Sequence, residues 1–282
     1  VHRRCPLLKF FAPEVWCFDA EWVPEPATGR RVYGLPAGMP DEEVLAQMWA
    51  EGGATDADPQ PYLKTVLCRV VSIAALIRKV QRDGTVSLVL HSLPTPDMPD
   101  ATEAQILARF LGSVGKAKPQ LVGYNSHGAD LPILVQRALV NGLSIREFAK
   151  RPAKPWEGVD YFARGSDYNV DLRDETGGFG RSTPSLHEFA TACRIPGKLG
   201  TAGDDVLRLW RAGDVRAIVH YNECDALTTY LLWLRMALGA GHLTPEQHAA
   251  EARELEAMLT QKAPSAPHLG EWLGAWHALR DS

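Results

Sequence analysis

The feature that most constrains the fold is the order in which the apolar pattern changes period along the chain. Val15 to Glu21 and Arg69 to Lys79 alternate or run apolar with β-branched residues, and Thr85 to Leu90 follows the turn signal Asp83-Gly84. These segments predict three opening strands, the last two joined as a hairpin. From Thr102 to Gly115 the apolar residues Ile106, Leu107, Phe110, Leu111 and Val114 recur at helical spacing, and the apolar run Gln120 to Tyr124 then breaks at Asn125. Leu131 to Asn141 is helical again and stops at Asn141-Gly142, while Tyr168 to Leu172 predicts a short fifth strand. Ser182 to Cys193, Ala202 to Ala212 and Asp214 to Leu238 complete a helical second half. Strands early, alternation in the middle and helices late predict an α/β fold, a mixed five-stranded sheet with helices on both faces.

Two segments stand apart from this order. Trp22 to Tyr62 is rich in Pro, Gly, Asp and Ala, and only Asp41 to Glu51 carries a helical pattern, so it reads as a mostly irregular insertion. The tail from Thr244 to Ser282 reads as a charged helix, a break near Pro264 to Pro267, and a short helix bearing Trp272 and Trp276, whose spacing suits docking onto the main domain. The expected division is a main domain over 1–242, containing the insertion 22–62, and a helical extension over 243–282.

No apolar run approaches the roughly 20 residues that a spanning helix needs, so no membrane contact is expected. Val1 to Phe11 has no sustained apolar stretch, which argues against a secretory signal. The five cysteines, at 5, 17, 68, 193 and 224, show no C-x-x-C spacing and read as reduced thiols of a cytoplasmic protein. The net charge of −4 argues against a protein that coats nucleic acid by bulk electrostatics. Four clustered carboxylates alone would account for it, and two divalent cations would neutralise them.

Three short signals carry the chemistry. Phe18-Asp19-Ala20-Glu21 ends an apolar strand, where alternation sends both acids to one side. Paired acids beside an apolar core repel each other and lose hydration unless a cation compensates, although a strand end emerging into solvent gives the same pattern. Gly123 to Pro132 takes a strand through a polar turn to Asp130, which suits a ligand group or a helix N-cap. Tyr221 and Asp225, four residues apart on the longest helix, face the same way, with apolar neighbours at Ile218, Val219, Leu227 and Leu231. A surface aspartate beside a packed tyrosine is the alternative there.

The ordered combination resembles the four-carboxylate (DEDD) 3′→5′ exonucleases of the ribonuclease-H-like fold, in the subclass with a tyrosine in the third motif. Asp19 and Glu21 match the first motif, Asp130 the second, and Tyr221 with Asp225 the third. The likeness is closest to predicted bacterial exonucleases similar to the proofreading domain of family B DNA polymerases. Asn125 and Asp130-Leu131-Pro132 fit the second motif, with Ser126 and Ala129 where glycine and phenylalanine are usual. Val170-Asp171-Leu172, Leu186 to Phe189, and Arg194-Ile195-Pro196-Gly197-Lys198 resemble the stretch between the second and third motifs. The likeness covers roughly residues 14 to 240.

The resemblance implies two Mg²⁺ or Mn²⁺ ions held by Asp19, Glu21, Asp130 and Asp225, with Tyr221 orienting the attacking water. It also implies a nucleic acid with a free 3′ end, preferably single-stranded DNA, and substrate contacts from Ala20, Trp22, Asn125 and Asp171. Arg146, Lys150, Arg151 and Lys154 form a basic run that suits a phosphate backbone or a solvated surface. An RNA-trimming enzyme, an inactive nucleic-acid-binding or scaffolding domain, and a metal-free protein with the acids paired by Arg69 or Arg173 are the competing readings. The C-terminal extension is the place for a protein partner.

Overall fold

A computed structural model describes residues 8–163, 166–177, 182–198 and 205–282. The five-stranded sheet has the order β3-β2-β1-β4-β5. It comprises β1 (Glu14–Pro24), β2 (Cys68–Val80), β3 (Val86–Leu93), β4 (Gln120–Gly123) and β5 (Asn169–Asp171). β1, β2 and β3 are antiparallel neighbours, whereas β4 runs parallel to both β1 and β5. The hairpin turns at Gly84, whose φ of 83° lies in the left-handed region that glycine adopts without strain.

Residue alternation along β1 divides the core. Val15 and Cys17 face a layer made by the long helix α9 (Val215–Gly239), followed by α10 (Pro245–Lys262) and α11 (Pro267–Asp281). Trp16, Phe18 and Ala20 face the other layer, made by α3 (Glu103–Ala117) and α4 (Asp130–Val140). Helix α3 starts at a capping box in which the Thr102 hydroxyl accepts the Gln105 N–H. Helix α9 is capped by Asp214, whose carboxylate accepts the Ala217 N–H at 3.0 Å. Beyond its first two turns α9 is buried nearly all round, because the sheet covers one side and the C-terminal helices another.

The insertion is more ordered than its composition predicts. It forms α1 (Pro26–Tyr33) as well as α2 (Asp41–Glu51), and β1 itself extends to Pro24. Proline in the first turn of α1 and left-handed Gly34 at its C-cap bracket this helix. The helix expected from Ser182 is shorter, α7 (Leu186–Ala192), because Ser185 supplies the cap with Glu188 as its reciprocal partner. The start of the helix expected from Ala202 lies outside the described residues, which contain α8 (Asp205–Arg211). Four short helices complete the described residues: α5 (Arg146–Ala149), α6 (Leu172–Thr176) and the 3₁₀ turns Thr65–Leu67 and Pro155–Glu157.

The C-terminal helices share the core of the main sheet. Trp272 and Trp276 are buried in the layer that contains Tyr230 and Trp233, so neither offers a face to a base. The junction is ionic. Arg78 of β2 donates to Glu251 of α10 through Nε at 2.7 Å and Nη2 at 2.6 Å, and both side chains are buried. Tyr230 donates to the same carboxylate at 3.1 Å, and the guanidinium lies beside the stacked Phe11 and Trp233 rings, 4.7 and 5.6 Å from their centroids. No helix among the described residues is long and apolar enough to cross a membrane. Cys17, Cys68, Cys193 and Cys224 are free thiols.

Removing one partner of a buried pair strands the other charge, at a cost of about 3–5 kcal/mol. Glu251→Ala should therefore lower the urea midpoint by that equivalent, and Arg78→Met combined with Glu251→Leu should recover most of it. Equal midpoints for Glu251→Ala and wild type would show that the tail is not fastened there.

Candidate metal centre

Asp19 and Glu21 continue the series Val15, Cys17 along β1, so both carboxylates emerge on the side that faces α9. A register shift between Glu21 and Trp22 ends the regular alternation just beyond them. Asp225 sits one turn after Tyr221 on the facing helix. One carboxylate oxygen from each of Asp19, Glu21 and Asp225 lies within 4.8 Å of the other two. Oxygens bound to a common Mg²⁺ at about 2.0–2.1 Å are at most about 4.2 Å apart, so small side-chain shifts would close this set on a hard cation.

Asp130 approaches from the neighbouring strand. β4 ends at Gly123, and the loop 124–129 turns back sharply into α4. A Cβ on Gly123 would lie 2.6 Å from the Ser126 Cβ, so the turn needs glycine at this point. Asn125 adopts a left-handed φ of 66°. Ala129 occupies the N-cap of α4 without a side-chain cap bond, and Asp130 is its first helical residue. Its carboxylate faces its own N–H and that of Ala20, which places it beside Asp19 and Glu21. The capping role open to Asp130 in the sequence is therefore not the one it takes.

The electrostatics are those of a site that favours protons or cations. Burial, and then the charges of Asp130, Glu21 and Asp225, push the Asp19 carboxyl well above its usual range. Burial, Asp225 and Asp130 do the same to Glu21, while Lys198 opposes them. Burial pushes Asp130 up to about 7. Burial also pushes Asp225 up to about 6, against the lowering effects of the Tyr221 hydrogen bond and of Lys198. The Tyr221 phenol is driven upward by burial and by Asp225, Glu21 and Asp19, so it keeps its proton and donates to Asp225. Among the described residues no arginine forms an ion pair with any of the four acids. Arg69 lies 3.5 Å from Glu25, and Arg173 donates to Asn125 at 2.8 Å.

A family model matches residues 60–276, that of predicted 3′-5′ exonucleases related to the exonuclease domain of PolB. The chain belongs to this family. The matched span includes Asp130, Tyr221, Asp225 and nearly all of the tail, which extends the likeness past residue 240. Asp19 and Glu21 precede that span, and the sheet brings them to the acids inside it. Among solved structures, the family B DNA polymerase from the hyperthermophilic archaeon Pyrobaculum calidifontis is similar, with 19% identity and a TM-score of 0.46. That match covers 91% of this chain and 30% of the polymerase, so the chain spans less than a third of that relative. No curated protein matches.

Three expected substrate contacts, Asp171, Asn125 and Ala20, have polar groups engaged within the protein. Asp171 is buried, and its carboxylate accepts the N–H groups of Asn125 at 2.8 Å, His127 at 2.9 Å and Arg173 at 3.0 Å. It holds the second-motif loop in shape and has no face for substrate. His127 and Asp174 lie beside it, but its oxygens are already engaged. The Asn125 side chain is likewise turned to Arg173. Ala20 is buried, and its contribution is the backbone N–H given to Asp130.

The basic run lies at the wrong end of the sheet. The Phe148 backbone packs on Gly115 near the end of α3, and Tyr161 donates to the Pro119 carbonyl at 2.9 Å, just before β4 begins. Arg146, Lys150 and Arg151 thus surround the start of β4, whereas the acids gather beyond its end. Arg151 is also paired with Asp160 at 3.0 Å.

One cation near the acids was given no role by the sequence. Lys198 follows Pro196, whose carbonyl accepts the Thr228 hydroxyl of α9 at 2.8 Å. The Lys198 N–H donates to His187 Nδ1 at 3.0 Å, and these two bonds fix the loop over the centre. A lone lysine in a Pro-Gly loop carries no sign of this placement, since both anchors are distant in sequence.

Charge reversal at Arg146 and Lys150 should leave oligonucleotide affinity and its salt dependence unchanged; a tenfold loss would return the phosphate path to that surface. A second outcome concerns pH. Asp130 and Asp225 have folded values of about 7 and about 6, above the ordinary 3.8, so the folded chain holds these protons longer than the unfolded one. Their contribution is complete below about pH 4 and disappears as pH rises through 6 and 7. Without divalent ions, Asp130→Asn and Asp225→Asn should lose less thermal stability than wild type between pH 5 and 8, and saturating Mg²⁺ should remove the difference. Parallel melting profiles in chelator would contradict this electrostatic reading.

Proposed function

We propose that the chain is a divalent-cation-dependent 3′→5′ exonuclease that releases nucleotides from the end of single-stranded DNA. The observation that carries the proposal is the convergence of Asp19, Glu21 and Asp225 within 4.8 Å, beside Asp130 and without an arginine partner among the described residues. Acids so placed are costly to an empty protein and useful to one that binds cations. An all-oxygen donor set selects Mg²⁺ or Mn²⁺ over zinc.

When bound, two such ions lower the pKa of a water and neutralise charge on the departing 3′ oxygen. The chain supplies the positions. Asp19 feels all three other acids and would be shared between the two ions, with Glu21 and Asp225 completing one site and Asp130 serving the other. Tyr221 retains its proton and donates to Asp225, which suits it to orienting the attacking water rather than removing its proton. Addition of water to phosphorus and cleavage of the bond to the 3′ oxygen yield a mononucleotide and a shortened strand with a free 3′ hydroxyl.

The test uses end-labelled single-stranded DNA, duplex DNA and RNA, each with Mg²⁺, Mn²⁺ or chelator. Wild type should shorten single-stranded DNA from the 3′ end only with metal. Asp19→Ala and Asp225→Ala should lose more than the roughly 10–100-fold that follows loss of an outer partner of a metal ligand. Tyr221→Phe should slow turnover by roughly 10–100-fold while metal binding persists. Digestion in chelator, or full activity of Asp19→Ala, would end the assignment; faster digestion of RNA would change the substrate and keep the centre.

A further inference from the structure

The sheet has an open edge at β3. This strand stands at the end of the order β3-β2-β1-β4-β5, and Val86–Leu93 contains no lysine or proline, with which natural edges turn other strands away. The Gln81 N–H donates to the Thr85 carbonyl across the hairpin. By antiparallel alternation, residues 87, 89, 91 and 93 then bond to β2, while Val86, Leu88, Leu90 and Ser92 direct their main-chain groups outward. Among the described residues none of these outward N–H or carbonyl groups has a hydrogen-bond partner.

Beside the edge the sheet face is uncovered as well. A groove of about 260 Å³ lies between α3 and the two outer strands, with the half-buried Ile77 and Leu93 in its lining. Val89 pairs with Ile77 across the hairpin, so it shares that face, and it is 42% exposed. The ionisable residues lining the groove are Arg109 and His91, both exposed. Lys116 follows Arg109 by two helical turns and adds a cation on the same side of α3. The Arg109 guanidinium donates to the Met98 sulfur at 3.1 Å and forms no ion pair among the described residues, although its charge reaches the exposed Asp97.

We infer that β3 takes a sixth strand, an extended segment of a partner protein. It hydrogen-bonds along residues 86–92, lays an aliphatic side chain over Val89 into the groove and sets an acidic one against Arg109. The edge dictates the backbone, since only an extended chain matches donors and acceptors offered at every second residue. The groove dictates the side chains, because its lining is apolar and cationic and holds no carboxylate. A second copy paired edge to edge would set His91, Arg109 and Lys116 against the same cations, which like-charge repulsion disfavours.

The experiment uses a phage library of random dodecapeptides. It is panned on the wild-type chain and on one carrying Val89→Lys and Arg109→Glu, both at exposed positions. Peptides enriched on wild type alone should alternate apolar residues and carry at least one acid. Their affinity for wild type is then measured by fluorescence anisotropy after N-methylation of every second amide, in each of the two registers. Each edge-facing amide contributes roughly two- to tenfold, so one register should weaken binding by on the order of tenfold or more and the other should leave it unchanged. This comparison uses the wild-type chain, so it stands whether or not the variant folds. Absence of enrichment over the variant, or an equal effect of the two registers, would overturn the strand addition. A dimer in light scattering that Val89→Lys dissolves would overturn the choice of partner and give the edge to a second copy.

Discussion

Like charges brought together in a desolvated cleft are the constraint around which this structure is arranged. Asp19, Glu21 and Asp225 come from a strand and a helix about two hundred residues apart in sequence, and each would be more comfortable in water. They stay together because their backbones are committed elsewhere. β1 is hydrogen-bonded on both sides by β2 and β4, and α9 is buried beyond the third motif. Core packing on both faces of the sheet offsets the repulsion, and protons or cations remove it.

That division explains which parts of the molecule were legible in the sequence. Asp19 and Glu21 could be assigned to one side because strand period is two, and Tyr221 and Asp225 because helix spacing is four. Local periodicity therefore predicted the direction of every candidate ligand except Asp130. Its carboxylate takes the Ala20 N–H, a partner set by β4 ending at Gly123 before β1 does. Asp171 failed for a related reason. Three backbone N–H groups consume its carboxylate, and no pattern of side-chain types records where main-chain donors converge.

Composition misled in the insertion, and it hid the junction of the tail. Pro, Gly and Asp made the insertion look irregular, yet α1 uses its proline at the N-terminus and its glycine at the C-cap, where each is favourable. The tail was expected to dock through Trp272 and Trp276, which are buried in the main core, but the charges on its helices gave no sign of the ionic junction. Glu251, one of those charges, is the group that ties it to β2 through Arg78. A run of basic residues was equally deceptive: Arg146, Lys150 and Arg151 are close in sequence to the second motif but are carried by α4 and the following turn to the far end of β4.

Among the described residues Lys198 is the cation that opposes the raising of Glu21 and Asp225, and this has a thermodynamic consequence within the proposed activity. A phosphodiester nearing four carboxylates meets repulsion in the empty protein, and Lys198 alone cannot reverse it. Cations bound at the acids change the sign of that interaction, so metal affinity and strand affinity are linked and each must strengthen the other. Under the proposed activity, bound cations would let a protein with net charge −4 hold a polyanion by its end. What it gives up is the salt-sensitive grip on internal phosphates that would let it coat a strand.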